Sequence, residues 1–393
     1  MNLKRLQESS ACSPAWAKLR LLHLHSSFHA GGKELRAARL INAFGSGVEH
    51  VIVSAMPGAL GASAAISDAI DVSYPSDFPS LTGKPLPSRL KRIAAAMQGF
   101  DLVLTYNWGA MDAAMAHMLF ASHFKLPPLV HHEDGFNEDE AVRLKSSRNW
   151  YRRIALARSS ALIVPSERLE GIALGAWQQP RRRVQRVANG IATSAYGGAA
   201  QPDALPQLIK QRGEMWLGTL AGLRAVKNLP RLVRAFAGLP EAWHLVILGQ
   251  GPERDGIAAE AARLGLGHRV HMPGFVGDPA QVTGLFDLFA LSSDSEQFPL
   301  SVVEAMAAGL AVASPAVGDV ANMVAEANRP FIVPTGSDDN LAAAIAQLAA
   351  DAGLRAVIGR ANQTRARAAF DEAQMIASYR QIYAEALNIP SFP

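Results

Sequence analysis

The 393-residue chain has a single cysteine, Cys12. An intramolecular disulfide is therefore excluded, as is a cysteine-rich zinc site, and a reducing cytosol fits. No run of about 18 consecutive apolar residues occurs, so no transmembrane helix is expected. The opening MNLKRLQESSACSPAWAKLRLL turns polar at residues 8–10 before any apolar stretch begins, and we read no signal peptide in it. Charge is sparse, at 18% against 49% apolar residues, which excludes a disordered chain and leaves ample material for a core.

What charge there is divides unevenly. Residues 1–200 hold 23 Lys and Arg against 15 Asp and Glu, and the remainder holds 15 against 19. A basic half suits nucleic acid, an anionic membrane, a phosphorylated substrate or simply a solvated surface. Nothing in the chain resembles a recognised nucleic-acid module, and no nucleic acid is expected.

Strand and helix patterns alternate throughout. Short apolar runs at 19–25, 51–54, 101–105, 128–132 and 161–165 read as buried parallel strands, each followed by helical periodicity. The alternation pauses at YGGAAQPDA, residues 196–204, and resumes with strands at 215–220, 244–248, 288–291, 311–314 and 331–333. The fold class expected is α/β, with two doubly wound Rossmann-like domains facing across a cleft. The divisions are 1–200, 201–371, and a last helix over 372–387 within a segment 372–393 that packs back on the first domain. Ligands of such sheets bind beyond the carboxyl ends of the strands, so the chemistry belongs in the loops that follow them.

One such loop reads SSDSEQFPLSVVEAMAAG. Pro299 sits near the first turn of a helix whose free N–H groups around Leu300 and Ser301 suit a diphosphate, while Glu304 is placed to hold a vicinal diol such as ribose. Two glutamates at a solvated helix start is the plainer reading. The Gly249-Gln250-Gly251 run invites a dinucleotide fold, but Arg254 stands at the third glycine position and no acidic residue ends the next strand.

Glu296, seven residues, then Glu304, with Phe-Pro-Leu-Ser between and Glu-Ala-Met-Ala-x-Gly after, closely resembles the family 4 glycosyltransferases of the GT-B fold. The runs LLHLHSSFHAGGKELRAARLINAFG, VPSERLEGIALGAWQQPRRRVQRVANGI and LVILGQGPERDGIAAEAARLGLGHRVHMPGFVGD extend the resemblance over most of the chain. The resemblance implies Glu296 near the donor sugar, Glu304 on the ribose, phosphate contacts at Phe298, Pro299, Leu300 and Ser301, and base contacts at Gly274, Phe275 and Val276. It also implies phosphate approach at Gly31 and Gly32 and a diphosphate cation at Lys227. The donor is then a nucleoside-diphosphate sugar, with no cofactor, and transfer retains the anomeric configuration. Metal-dependent glycosyltransferases commonly use Asp-x-Asp, which is absent, so no metal is expected.

Two departures stand out. The usual Arg position before Lys227 is Gly222, and Arg224, two residues on, is either a substitute or a surface residue. The His usual at the end of the strand near residue 132 is replaced by Asp134, preceded by His131 and His132. His132 or Asp134 is expected to orient an acceptor hydroxyl, against the alternative that strand-end histidines are structural.

For the acceptor, Arg143, Lys145, Arg148, Arg152, Arg153 and Arg158 interleave with Trp150 and Tyr151, and Arg181, Arg182, Arg183 and Arg186 follow. That mixture suits an anionic membrane surface, with a saccharide or polyprenyl-diphosphate-linked saccharide as acceptor. A nucleotide-sugar 2-epimerase on the same fold and a non-catalytic nucleotide-sugar-binding homologue are the competing readings.

Overall fold

The computed structural model describes residues 18–136, 140, 144–198, 200–205 and 207–393. Cys12, Glu138, Asp139 and Arg143 lie outside them. Seven strands form the first sheet: β1 (Leu19–His25), β2 (Val48–Ser54), β3 (Asp71–Ser73), β4 (Leu102–Tyr106), β5 (Leu129–His132), β6 (Ala161–Val164) and β7 (Val184–Arg186). Six form the second: β8 (Met215–Leu220), β9 (Trp243–Leu248), β10 (Val270–Gly274), β11 (Leu288–Ala290), β12 (Val312–Pro315) and β13 (Ile332–Val333). The orders are β3-β2-β1-β4-β5-β6-β7 and β10-β9-β8-β11-β12-β13, and every pairing is parallel. Each sheet therefore reverses strand order once, at β1/β4 and at β8/β11, and such reversals open crevices at the carboxyl ends.

The strands are apolar throughout because helices cover both faces of each sheet. In β1, Leu22 and Leu24 join the cluster with Ile93, Met111 and Ala114, whereas Leu21 points the other way, into the cluster with Leu40, Ile41 and Tyr379. In β9, Leu245 and Ile247 face one cluster and Val246 and Leu248 the other. Two-sided burial gives continuous apolar runs in place of alternation. The three strands absent from the sequence reading, β3, β7 and β10, each lie at a sheet edge and are short or partly exposed, so they carry little apolar signal.

The last helix, Glu372–Leu387, starts where Asp371 accepts from the Ala373 N–H at 3.0 Å. It returns to the first sheet, where Met375, Tyr379 and Tyr383 join Leu21, Ile52 and Leu102. The chain thus crosses between the sheets twice. The crossings touch, with Ile191 N–H donating to Phe370 O at 3.0 Å and Glu372 N–H to Ile191 O at 2.9 Å.

Beneath this helix lies a buried polar layer. His25 stacks on Tyr106 at 3.9 Å, Tyr106 on His132 at 4.4 Å, and His132 on Tyr379 at 5.8 Å between ring centres. His23 meets His50 at 3.0 Å and the Tyr106 hydroxyl at 3.1 Å. Burial holds His23, His25 and His132 well below the ordinary histidine range and brings His50 to about 4. The unfolded chain binds these protons near pH 6.5 and the folded chain does not. Stability is therefore complete above about pH 6.5 and falls as pH drops toward 4. Urea midpoints measured from pH 8 to 5 are expected to decline, and substituting His50 by Gln should flatten part of that slope. A midpoint independent of pH over this range would contradict neutral burial.

Candidate active site

The second sheet's reversal point carries the cationic side of the site. Leu217 of β8 lies beside Leu288 of β11. The loop after β8 holds Arg224 and Lys227, and the loop after β11 holds Glu296. The Lys227 ammonium donates to Glu296 Oε1 at 2.5 Å, and the Ser293 hydroxyl donates to the same oxygen at 2.7 Å. The Ser292 hydroxyl bonds the Lys227 carbonyl at 2.9 Å, so the two loops fix each other.

Gly249 and Gly251 serve this loop and not a dinucleotide. Both have positive φ, and a Cβ on Gly249 would stand 1.9 Å from Ala221 O, one on Gly251 2.3 Å from Leu223 O. Only glycine lets the two turns close together, with Leu223 N–H donating to Gln250 O at 2.9 Å. Arg224, exposed, lies back over Gly222, its Nε 3.6 Å from where a Cβ of residue 222 would be.

Two helix N-termini converge on the cleft. The helix Leu300–Ala307 begins after extended Pro299 with no side-chain cap, leaving its first N–H groups around Leu300 and Ser301 without a side-chain partner. Opposite it, the helix Gly32–Phe44 begins after Gly31, also with no side-chain cap. A Cβ on Gly32 would lie 3.9 Å from the Leu300 side chain. Both ends carry partial positive charge, so their shared space attracts an anion. A local carboxylate stands close by: Glu34 Oε2 lies 2.7 Å from the Cβ position of Gly31, and Lys33 bonds Glu34.

One turn into the helix, Glu304 lies near the Tyr196 hydroxyl, with Arg39 the nearby cation. Burial pushes the Glu304 carboxyl up to about 7, with Tyr196 and Arg39 acting in the opposite direction. Farther along the cleft, Gly274 has φ +106° and its carbonyl accepts from Gly249 N–H at 2.8 Å. Phe275 is 68% exposed beside half-buried Val276. Phe298 packs edge-on against Phe370 at 5.6 Å. Lys227, Glu296, Leu300, Ser301 and Gly32 are thus brought to one end of the second sheet.

The first-domain side differs from expectation. His132 is buried, with Nδ1 donating to Thr105 O at 3.2 Å and Nε2 bonded to the Tyr383 hydroxyl at 3.0 Å. Both ring nitrogens are occupied, so an acceptor-facing role for His132 is corrected to a structural one. Asp134 is committed as well. It forms a two-pronged ion pair with Arg36, whose second bond is 2.8 Å, and its N–H donates to Asn107 Oδ1 at 2.7 Å. Arg36 also donates to Asn189 at 2.7 Å. Asp134 thereby holds Arg36 at the cleft wall and is no free base. Arg36, Arg39 and Tyr196 were missed in the sequence. The two arginines share one face of the first helix, a weak signal, and Tyr196 falls in the segment read as a linker.

Among the described basic residues, not all face solvent. Arg152 is fully buried between Trp108, Phe136 and Trp177 and bonds Glu133 and Glu140. Arg181 and Arg186 pair with Glu170 and Glu167. No single described helix is long and apolar enough to cross a membrane.

Residues 203–365 match the family described as Glycosyl transferases group 1, and residues 18–195 match Glycosyltransferase Family 4. The chain is 25% identical over 212 residues to N-acetyl-alpha-D-glucosaminyl L-malate synthase of Bacillus anthracis, covering 53% of this chain and 56% of that protein. It is 24% identical over 296 residues to a GDP-mannose-dependent alpha-mannosyltransferase of Mycobacterium tuberculosis, covering 72% and 75%. The match spans about half the length of the first of these relatives. The fold is that of Anabaena Alr3699/HepE, solved in complex with UDP, at a TM-score of 0.77 and 22% identity over 94% of this chain and 100% of that one. With both halves matched in chain order and two parallel sheets facing across a cleft, the chain belongs to the family 4, group 1 glycosyltransferases of the GT-B fold.

Proposed function

We propose that this chain transfers a hexose-type sugar from a nucleoside-diphosphate sugar to a saccharide or polyprenyl-diphosphate-linked saccharide, with retention, in cell-surface polysaccharide or glycolipid synthesis. The observation that carries the reading is the meeting of two uncapped helix N-termini at Gly32 and Leu300, beside Lys227 and Glu304. A diphosphate placed there gains partial positive charge from both domains. Its β-phosphate becomes the leaving group, and Lys227 shifts from Glu296 toward the developing charge. Arg224, folded over Gly222, supplies the second cation. The acceptor oxygen bonds to the anomeric carbon as the bond to the diphosphate breaks, and the acceptor proton passes to the departing phosphate oxygen. No strong protein base is needed, consistent with buried His132 and paired Asp134. Cationic side chains and helix ends take the part of a metal ion. The Anabaena neighbour's UDP and the mycobacterial relative's GDP-mannose leave the base open.

For the acceptor, a cavity of ≈ 580 Å³ opens beside the loop after β4. Thr82, Trp108, Asp112, Arg148 and Tyr151 line it. Aromatic rings beside polar groups suit a sugar, whose apolar face stacks while its hydroxyls bond. A membrane contact falls to a smaller surface than the sequence suggested. Trp150 and Ile154 are exposed one turn apart on the helix Ser146–Ala155, with Arg153 over Trp150 at 4.9 Å. We expect salt-sensitive co-sedimentation with anionic vesicles on the cytoplasmic-leaflet model, lost in Trp150→Ala; equal binding to neutral vesicles would refute it.

Turnover tests the function. Incubation with UDP-, GDP- and ADP-sugars and a mixed saccharide acceptor pool is expected to release nucleoside diphosphate and yield an α-linked product from an α-linked donor. An epimerised sugar formed from donor alone would favour the epimerase reading, and no consumption of any donor the binding-only one.

A further inference from the structure

We infer that Asp319 is a positioning residue, a latch that ties the donor-side Glu296–Gln297 loop to the first domain and holds the cleft closed. The loop after β12 lies directly on that donor loop. Gly318 has φ +56°, and a Cβ there would stand 2.6 Å from Gln297 O and 2.8 Å from Glu296 O. The next residue, Asp319, donates its own N–H to Gln297 O at 3.1 Å. Its carboxylate then crosses to the other domain. Oδ2 accepts from Glu167 N–H at 2.5 Å and Oδ1 from Arg168 N–H at 3.1 Å.

Those donors are the first two N–H groups of the helix Glu167–Gly175. Its own cap, Ser166, serves only the third, accepting from Leu169 N–H at 3.1 Å. A helix start with two N–H groups to spare is thereby completed by a carboxylate from the opposite domain, with favourable dipole alignment. Asn322 adds a second thread, donating to Glu167 Oε2 at 3.0 Å. Asp319 is buried, so the contact is more than a surface encounter.

The same loop also touches the first domain near the cleft floor, where Gln297 Cγ lies 3.2 Å from the Cβ position of Gly135. Opening the cleft at this edge must break both Asp319 bonds and pull on the peptide that carries Glu296. Closure and the placement of Glu296 are therefore one event. Asp319 meets no reacting atom; it acts through the 296–297 backbone.

The test uses two partners of one bond. Asp319→Ala removes the acceptor. Glu167→Pro removes one donor N–H at the first helical position, where proline is well tolerated. Glu167→Ala loses the same side chain but keeps the N–H. Small-angle scattering of the full chain is expected to show a larger radius of gyration in Asp319→Ala and Glu167→Pro, with Glu167→Ala near wild type and helix content unchanged in all three. The double variant should be no more open than Asp319→Ala alone, because the bond that Glu167→Pro removes is one of the two already lost with the Asp319 carboxylate. The kinetic arm rests on the transferase reading. There kcat should fall about tenfold with donor KM changed far less, as expected when a reacting geometry loosens. Wild-type scattering in both variants, or additive opening in the double, would overturn the latch. If the wild-type chain shows no turnover, the transferase reading fails and scattering alone decides the latch.

Discussion

Replacing Glu304 by Ala should weaken nucleoside diphosphate binding by about 10- to 100-fold, the loss expected for hydrogen bonds to a charged group, about 1.5–3 kcal/mol. The carboxylate sits one turn inside the helix whose N-terminus faces the diphosphate space, so ribose and phosphate are held by one rigid element. The effect has a pH signature. With its carboxyl pushed up to about 7 by burial, Glu304 is partly protonated at neutral pH. Ribose hydroxyls donate to the ionised form and favour it. Affinity should therefore rise from pH 6 to 8 and binding should release protons, a dependence reduced in Glu304→Gln, which leaves only the ligand's own phosphate titration. For folding the sign is opposite to that of the histidines. A carboxyl raised above its unfolded value contributes stability that is full below about 4.5 and lost as pH rises through about 7. Calorimetry at several pH values reads both. Unchanged affinity in Glu304→Ala for every nucleoside diphosphate would remove Glu304 from the site.

Lys227→Ala should reduce turnover by about 10²–10³-fold, as expected for loss of one preorganised group aimed at developing charge. Folding should suffer much less. The lysine lies in a loop at the cleft, and its partner Glu296 retains the Ser293 hydroxyl and stays partly open to water. A modest drop in melting temperature with kcat nearly abolished is the expected split. Wild-type turnover in this variant would refute the phosphate role, and a collapse of folding with turnover per folded molecule unchanged would make the pair structural.

The strands and the last helix were largely legible because two-sided burial leaves unbroken apolar runs. Strands β1 and β8 and the helix Glu372–Leu387 have the bounds read from the sequence. The reading lost force where neighbours far along the chain decide the environment. His132 at a strand end looks the same whether it meets solvent or a tyrosine, and the tyrosine that occupies it is Tyr383, 251 positions on. Tyr196 stands in a Gly- and Ala-rich stretch without periodicity, yet the crossing of the chain there delivers its hydroxyl to Glu304. Gly249 and Gly251 resemble a phosphate loop in sequence because the same freedom of φ serves any close backbone approach. The basic stretch suits a membrane surface by composition, but Arg152 turns inward to pair with Glu133 and Glu140. No local pattern marks an arginine for burial when its partners lie in another loop.

The central claim is that a nucleoside diphosphate seats between the two helix N-termini, and its most direct measurement is a thermal-shift comparison of nucleosides, monophosphates and diphosphates of uridine, guanosine and adenosine. A ligand at about a hundred times its Kd stabilises the folded state by about 2.7 kcal/mol. We predict that one base gives a clear rise in melting temperature as diphosphate, a smaller one as monophosphate and almost none as nucleoside, because the second phosphate is the group the helix ends and Lys227 meet. No shift with any diphosphate, or equal shifts with nucleoside and diphosphate of the same base, would contradict it.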